Sequence, residues 1–92
     1  MMAKPVWRVE FLRAAERDLH KLGTEAERQI TRYLRERIAT ADDPRRFGHA
    51  LTGDKKGLWR YRAGDYRIIA SIEDGRFVVV VVAVGHRREV YR

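Results

Sequence analysis

From Leu58 to Arg92 the chain alternates apolar and basic side chains, turns at Gly64-Asp65 and Asp74-Gly75, and runs through the unbroken valines Val78 to Val82. Few folds accept that pattern. Successive strand side chains point to opposite faces, and a short apolar run bounded by turn residues reads as a buried central strand, so the segment predicts a meander of three strands. Counting by twos sets Leu58, Arg60 and Arg62 on one face and Trp59 and Tyr61 on the other. The next strand groups Arg67 with Ile69 and Ser71, and Tyr66 with Ile68, Ala70 and Ile72. Arg60, Arg62 and Arg67 are therefore expected side by side, with Arg87 brought near them by the end of the third strand. A surface of clustered guanidinium groups suits phosphates.

Upstream, Val6 to Phe11 alternates, with Trp7, Val9 and Phe11 on one face and Arg8 and Glu10 on the other, which predicts a half-buried first strand. At Arg13 the period changes. Phe11, Ala15, Leu19 and Leu22 recur three or four apart, predicting a short helix stopped by Gly23. Thr24 and Glu27 fit a capping box at the start of a second helix, whose apolar stripe is Ala26, Ile30, Leu34, Ile38 and Ala41. Asp42-Asp43-Pro44 ends that helix, because proline disfavours helical backbone in the residue before it. Residues 45–57 show no period and carry Gly48, Gly53 and Gly57, so a loop pinned by Phe47 and Leu51 is expected there. The order strand-helix-helix-strand-strand-strand predicts an α+β domain. In it a helical hairpin packs on one face of a small, mainly antiparallel four-stranded sheet and leaves the other face to the arginines. The intervening helices are long enough for the first strand to join the valine strand in parallel.

Ninety-two residues make a single domain, 1–92, that buries roughly 60 to 70% of the surface of its unfolded chain. Against 13 acidic residues stand 20 Lys and Arg, a formal net charge of +7 that favours a polyanionic or an acidic protein partner. The absence of cysteine excludes a disulfide scaffold, thiol catalysis and thiolate zinc sites. No apolar run reaches the roughly 20 residues of a membrane span, and Met1 to Val6 lacks a secretory apolar region, so a soluble, cytoplasmic protein without membrane contact is expected.

Four stretches also resemble the toxins of the RelE/ParE superfamily, in particular its RelE branch. They are Leu51-Thr52-Gly53, Leu58-Trp59-Arg60-Tyr61-Arg62, Gly64-Asp65-Tyr66-Arg67-Ile68-Ile69 and Val84-Gly85-His86-Arg87-Arg88-Glu89-Val90-Tyr91. The opening strand and Asp18-Leu19-His20-Lys21-Leu22 fit the same pattern, so the similarity covers nearly the whole chain. The resemblance implies a toxin of a type II toxin–antitoxin system, a ribosome-dependent endoribonuclease that cuts messenger RNA in the ribosomal A site. It also implies a small acidic RelB-like antitoxin, operator DNA reached through the antitoxin complex, and no metal or organic cofactor. Two other readings stay open: a ParE-like inhibitor of DNA gyrase, and an inactive scaffold that binds antitoxin and operator DNA.

The family's chemistry is attack of the ribose 2′-hydroxyl on the adjacent phosphate, which needs a proton acceptor, a cation against the phosphorane charge and a proton for the departing oxygen. By resemblance, Arg67 takes the part of the transition-state arginine, Arg87 of the basic residue near the leaving group, and Tyr91 of the aromatic that stacks on a base. Arg60 and Arg62 occupy basic positions where family members often carry lysine, and Leu58 replaces one such residue. A guanidinium stays protonated and is a phosphate clamp rather than a base, so the proton acceptor is unassigned. Histidine is the remedy, since an unperturbed imidazole titrates at about 6.5. His86 lies in the motif but is turned to the opposite face by alternation if the strand continues, His49 lies in the preceding segment, and His20 belongs to a helix surface. Arg45, Arg46, Lys55, Lys56 and Arg88 are expected to contact RNA phosphates. Arg62 could instead pair with Asp65, and Arg87 with Glu89, as exposed ion pairs.

Overall fold

The computed structural model describes residues 4–88. Its strands are β1 (Arg8–Phe11), β2 (His49–Ala50), β3 (Trp59–Ala63), β4 (Tyr66–Glu73) and β5 (Val78–His86), and its helices are α1 (Arg13–Leu22) and α2 (Thr24–Tyr33). The five strands lie in the order β1-β5-β4-β3-β2, with β1 parallel to β5 and every other pairing antiparallel. The meander is as the sequence predicts, and the first strand takes the parallel place beside the valine strand that the sequence permits. The sheet has one strand more than expected, because His49 and Ala50 leave the supposed loop to pair with Arg60 and Trp59.

The helices cover one face. Ala15 and Leu19 of α1, and Ala26 and Ile30 of α2 with Leu34 and Ile38 beyond it, are buried, as is the strand set Tyr61, Ala63, Ile68, Ala70, Val79, Val81 and Val84. Trp7 is buried too and meets the Phe77 ring edge-on at 5.4 Å. β1 accompanies β5 only as far as Val81, so the next β5 amides need other acceptors. The Val84 N–H donates to Asp18 Oδ2 of α1 at 3.4 Å, and the Leu12 N–H donates back to the Val81 carbonyl at 3.0 Å. A register shift in the β4–β5 pairing between Ile69 and Ala70 marks a bulge, which adds local twist.

Two helix boundaries differ from expectation. Gly23, at φ +97, both stops α1 and precedes α2, and no side chain caps α2, so the Thr24/Glu27 capping box does not form. The Glu27 N–H is satisfied instead by the Gly23 carbonyl at 3.0 Å. After Tyr33 the second helix widens into a π turn over Leu34–Ile38, closed by the Ala39 N–H on the Leu34 carbonyl, and ends there. Ala41 is consequently exposed and not part of the buried stripe. A 3-10 turn over Pro44–Phe47 then lays the chain against the helix side of β3, where the fully buried Tyr61 donates its hydroxyl to the Pro44 carbonyl at 2.8 Å. Tyr61→Phe deletes that donor, the buried hydroxyl that ties β3 to the 3-10 turn. We expect a loss of about 1 to 2 kcal/mol in urea-unfolding stability with unchanged circular dichroism.

Candidate active site

The face away from the helices is assembled by strand register. β2 pairs His49 with Arg60, β3 pairs Arg60 with Ile69 and Arg62 with Arg67, and β4 pairs Ile69 with Ala83 and Arg67 with Gly85. Residues paired directly across strands share a face, so two rows result: His49, Arg60, Ile69 and Ala83, then Arg62, Arg67 and Gly85. Neighbours within a row stand about 5 Å apart at Cβ, and diagonal neighbours about 7 Å. Gly85 has no side chain to screen Arg67. The expected juxtaposition of Arg60, Arg62 and Arg67 is therefore present.

The two ends of this face differ in charge balance. At the β4–β5 turn, Arg76 reaches Glu73 at 2.7 Å and Glu10 at 3.5 Å, and Glu10 also meets Arg8 at 3.7 Å. At the β3–β4 turn, Arg62 is exposed and pairs with no carboxylate among the described residues, Asp65 across the turn included. Arg67 Nη1 folds back to the Gly64 and Tyr66 carbonyls, both at 3.3 Å. Arg87 follows β5 and is exposed, and its backbone N–H is held by the Asp65 carbonyl at 2.9 Å, which fixes the chain beside the row of Arg67. Arg88 is exposed next to it. Tyr91, the expected stacking aromatic, and Glu89, the alternative partner of Arg87, lie outside the described residues.

The histidines separate cleanly. β5 continues through His86, which pairs with Tyr66 and meets its ring edge-on at 6.2 Å, so His86 faces the helix side and away from the arginines. His49 is exposed and directly opposite Arg60, on the arginine face. Its strand of two residues is too short to show a period. His20 is exposed on α1, 4.0 Å from Glu27. Among the described residues no group of His, Asp and Glu is arranged to hold a metal ion.

The expected phosphate contacts in the 45–57 segment are only partly available. Arg45 lies on the helix side, over the Trp59 ring at 5.7 Å, and clamps Asp74 with Nη1–Oδ1 and Nη2–Oδ2 distances of 3.1 and 2.6 Å. Asp43 adds a third carboxylate oxygen at 3.3 Å. Arg46 pairs with Asp42 at 3.1 Å and lies 4.6 Å from the Phe47 ring centre. Both arginines are thus engaged by carboxylates, Arg45 at the Asp74 turn, roughly 20 Å along β4 from Arg67 by strand length, and Arg46 within its own turn. Lys55 and Lys56 stay in the β2–β3 connection, where Lys56 is exposed.

A groove of about 460 Å3 opens on the other side of the β3 edge, between α2 and its π turn and the Arg62–Gly64 end of β3. Its lining includes Arg32, Tyr33, Arg37 and Phe47, and Arg62 belongs to both groove and arginine face. The sequence reading missed Arg32 and Arg37 as a group; their positions along the second helix relative to Gln29 and Tyr33 were the available signal.

Residues 9–91 match the family model described as the ParE toxin of the type II toxin–antitoxin system parDE. The chain is 32% identical over 84 residues to Toxin RelG of Mycobacterium tuberculosis, covering 91% of this chain and 94% of that protein. It is 37% identical over 51 residues to Toxin RelE of the same organism, covering 55% of this chain and 53% of that one. The fold superposes on the toxin–antitoxin complex RelBE2 of M. tuberculosis with a TM-score of 0.82 at 30% identity, over 91% of this chain and 94% of the other. The archaeal RelE–RelB complex of Pyrococcus horikoshii shares the fold at a TM-score of 0.67 and 24% identity, over 94% of this chain and 100% of the other.

Hydrogen bonding and the charge of Arg45 hold the Asp74 carboxyl below its ordinary range. A depressed carboxyl contributes stability that is present above its unfolded pKa of about 4 and is lost as pH falls through the folded value. Thermal melts should therefore show Asp74→Asn melting below the parent at pH 7 and the two converging near pH 2. An unchanged melting temperature at pH 7 would remove the clamp from the account.

Proposed function

This chain belongs to the RelE/ParE superfamily of type II toxin–antitoxin toxins, and we propose that it is an endoribonuclease that cuts messenger RNA in the ribosomal A site and so arrests translation. The observation that carries the reading is the shared face of His49, Arg60, Arg62 and Arg67, one imidazole among guanidinium groups. On that face the RNA phosphate sits against Arg67 and Arg62, with Arg60 as a further clamp. His49 takes the proton of the 2′-hydroxyl as its oxygen bonds to phosphorus. The bond from phosphorus to the 5′ oxygen breaks, and that oxygen, beside Arg87, takes a proton back from solvent. The products end in a 2′,3′-cyclic phosphate and a 5′-hydroxyl. His49 supplies the proton acceptor that Arg60 and Arg62 cannot be, with Leu58 standing where family members often carry lysine. Tyr91 is the proposed stacking residue, and Arg88, Lys55 and Lys56 contribute charge toward ribosomal RNA.

The partner under this reading is a small acidic RelB-like antitoxin, through which the pair reaches operator DNA. Its support is the similarity to the toxin of the RelBE2 complex and the net charge of +7.

Two substitution sets test the chemistry on purified ribosomes carrying message. Arg67→Ala should lower the single-turnover cleavage rate about 100-fold or more with little change in ribosome affinity, because the lost contact is strongest in the transition state. His49→Gln should lower the same rate by about 100-fold or more, whereas His86→Gln, turned to the helix side, should retain most of it. If Arg67→Ala and His49→Gln arrest growth as the parent does, the ribonuclease reading fails. DNA breaks on induction without new messenger 5′ ends would replace it with gyrase inhibition.

A further inference from the structure

The groove beside α2 has three properties that the fold alone does not require. First, it gathers like charges. Arg32, Arg37 and Arg62 line it with Glu36 as the only carboxylate among its described lining residues, and none of the three arginines forms an ion pair among the described residues. At the Asp74 end of the sheet, by contrast, such groups are neutralised, Arg45 by Asp74 and Arg76 by Glu73. Second, the groove offers flat surfaces. Tyr33 is half-buried along one wall, and the Arg37 guanidinium lies 5.2 Å from the Phe47 ring centre. Third, the groove is continuous with the arginine face. β2 begins opposite Arg60, so among the described residues no strand covers the β3 edge from Tyr61 to Ala63, and Arg62 at that edge belongs to both sides. The floor is held by the α2 amide of Gln29, whose Nε2 donates to the Ala63 carbonyl at 3.4 Å.

We propose that this groove binds the single-stranded RNA leaving the arginine face, with its phosphates on Arg32 and Arg37 and one base against Tyr33. The proposal rests on the ribonuclease reading for the direction of the strand, but not for the binding itself. Unpaired guanidinium groups attract phosphates, and aromatic rings and guanidinium planes stack bases of any sequence. A volume of about 460 Å3 is in the range of pockets that hold one small organic group, here a single nucleotide. An acidic peptide would satisfy the charges but would leave the flat surfaces without a matching group.

The test uses the full chain and a fluorescent decauridylate, titrated by anisotropy between 50 and 200 mM salt. Arg32→Gln/Arg37→Gln should weaken binding about tenfold or more and reduce the slope of log affinity against log salt by about 1.4, the value for two phosphate contacts on a single strand. The comparison variant Arg28→Gln/Arg35→Gln removes the same charge from exposed positions of the same helical segment outside this groove, and should change affinity by about twofold or less. All four positions are exposed, and circular dichroism melts check that each variant is folded. Photocrosslinking of a 4-thiouridine form of the same RNA should label Tyr33. Equal losses in the two double variants would reduce the effect to net charge and overturn the proposal, as would unchanged binding by the groove variant. Loss of a labelled polyglutamate with RNA binding intact would make the groove a peptide site instead. The two readings fail separately: a groove variant that binds RNA normally while Arg67→Ala loses cleavage sinks only the groove. A parent that binds the RNA through Arg32 and Arg37 but never cuts message sinks only the nuclease.

Discussion

The parallel pairing of β1 with β5 is the constraint on which the rest of the molecule depends. It turns the valine strand from an edge into an interior strand, with β1 on one side and β4 on the other. Val78, Val79 and Val81 are fully buried, as a strand flanked by a neighbour on each edge and packed beneath the helices permits. The helical connection between β1 and the meander follows from the same pairing, because a parallel neighbour cannot be reached by a hairpin. Both helices then lie on one side. The meander is left to run outward, and β3 and β4 carry their charged residues on the side the helices do not occupy.

Much of this was legible in the sequence because period-2 alternation is a local signal that side-chain burial cannot easily override. Tyr61 and Ile68 fall on the buried side and Arg60 and Arg62 on the open side, as counting by twos requires. What stayed hidden was non-local. The clamp of Arg45 on Asp74 joins residues 29 positions apart, so a count of basic residues in the 45–57 segment could not reveal that one of them was already committed. Two residues of β2 have no period to detect. The α2 boundaries moved for a different reason: a left-handed Gly23 supplies the chain reversal, which makes the threonine cap unnecessary, and the π turn ends the helix before the proline signal is reached.

Arginine appears here in three physical roles that composition alone merges. Arg45 and Arg76 are charge-balanced and fasten turns, Arg37 lies over an aromatic ring, and Arg62 projects from a strand with no carboxylate paired to it among the described residues. A formal charge of +7 therefore overstates the field over the turns and understates it around Arg62. The local balance of each guanidinium, more than the total, marks where an anion has most to gain.

Gly48 gives the position of His49 a mechanical origin. A Cβ at residue 48 would stand 3.0 Å from Tyr61 Cε1 and 3.3 Å from Trp59 Cε3, so the backbone lies directly on the two rings. The rings act as a seat that sets the depth at which the chain enters β2, and the Leu51 N–H on the Leu58 carbonyl at 2.9 Å closes the far side. With only two paired residues, β2 has little cooperativity of its own. Any side chain at 48 would lift the strand off its seat, and the imidazole would lose its alignment while the core beneath stayed filled.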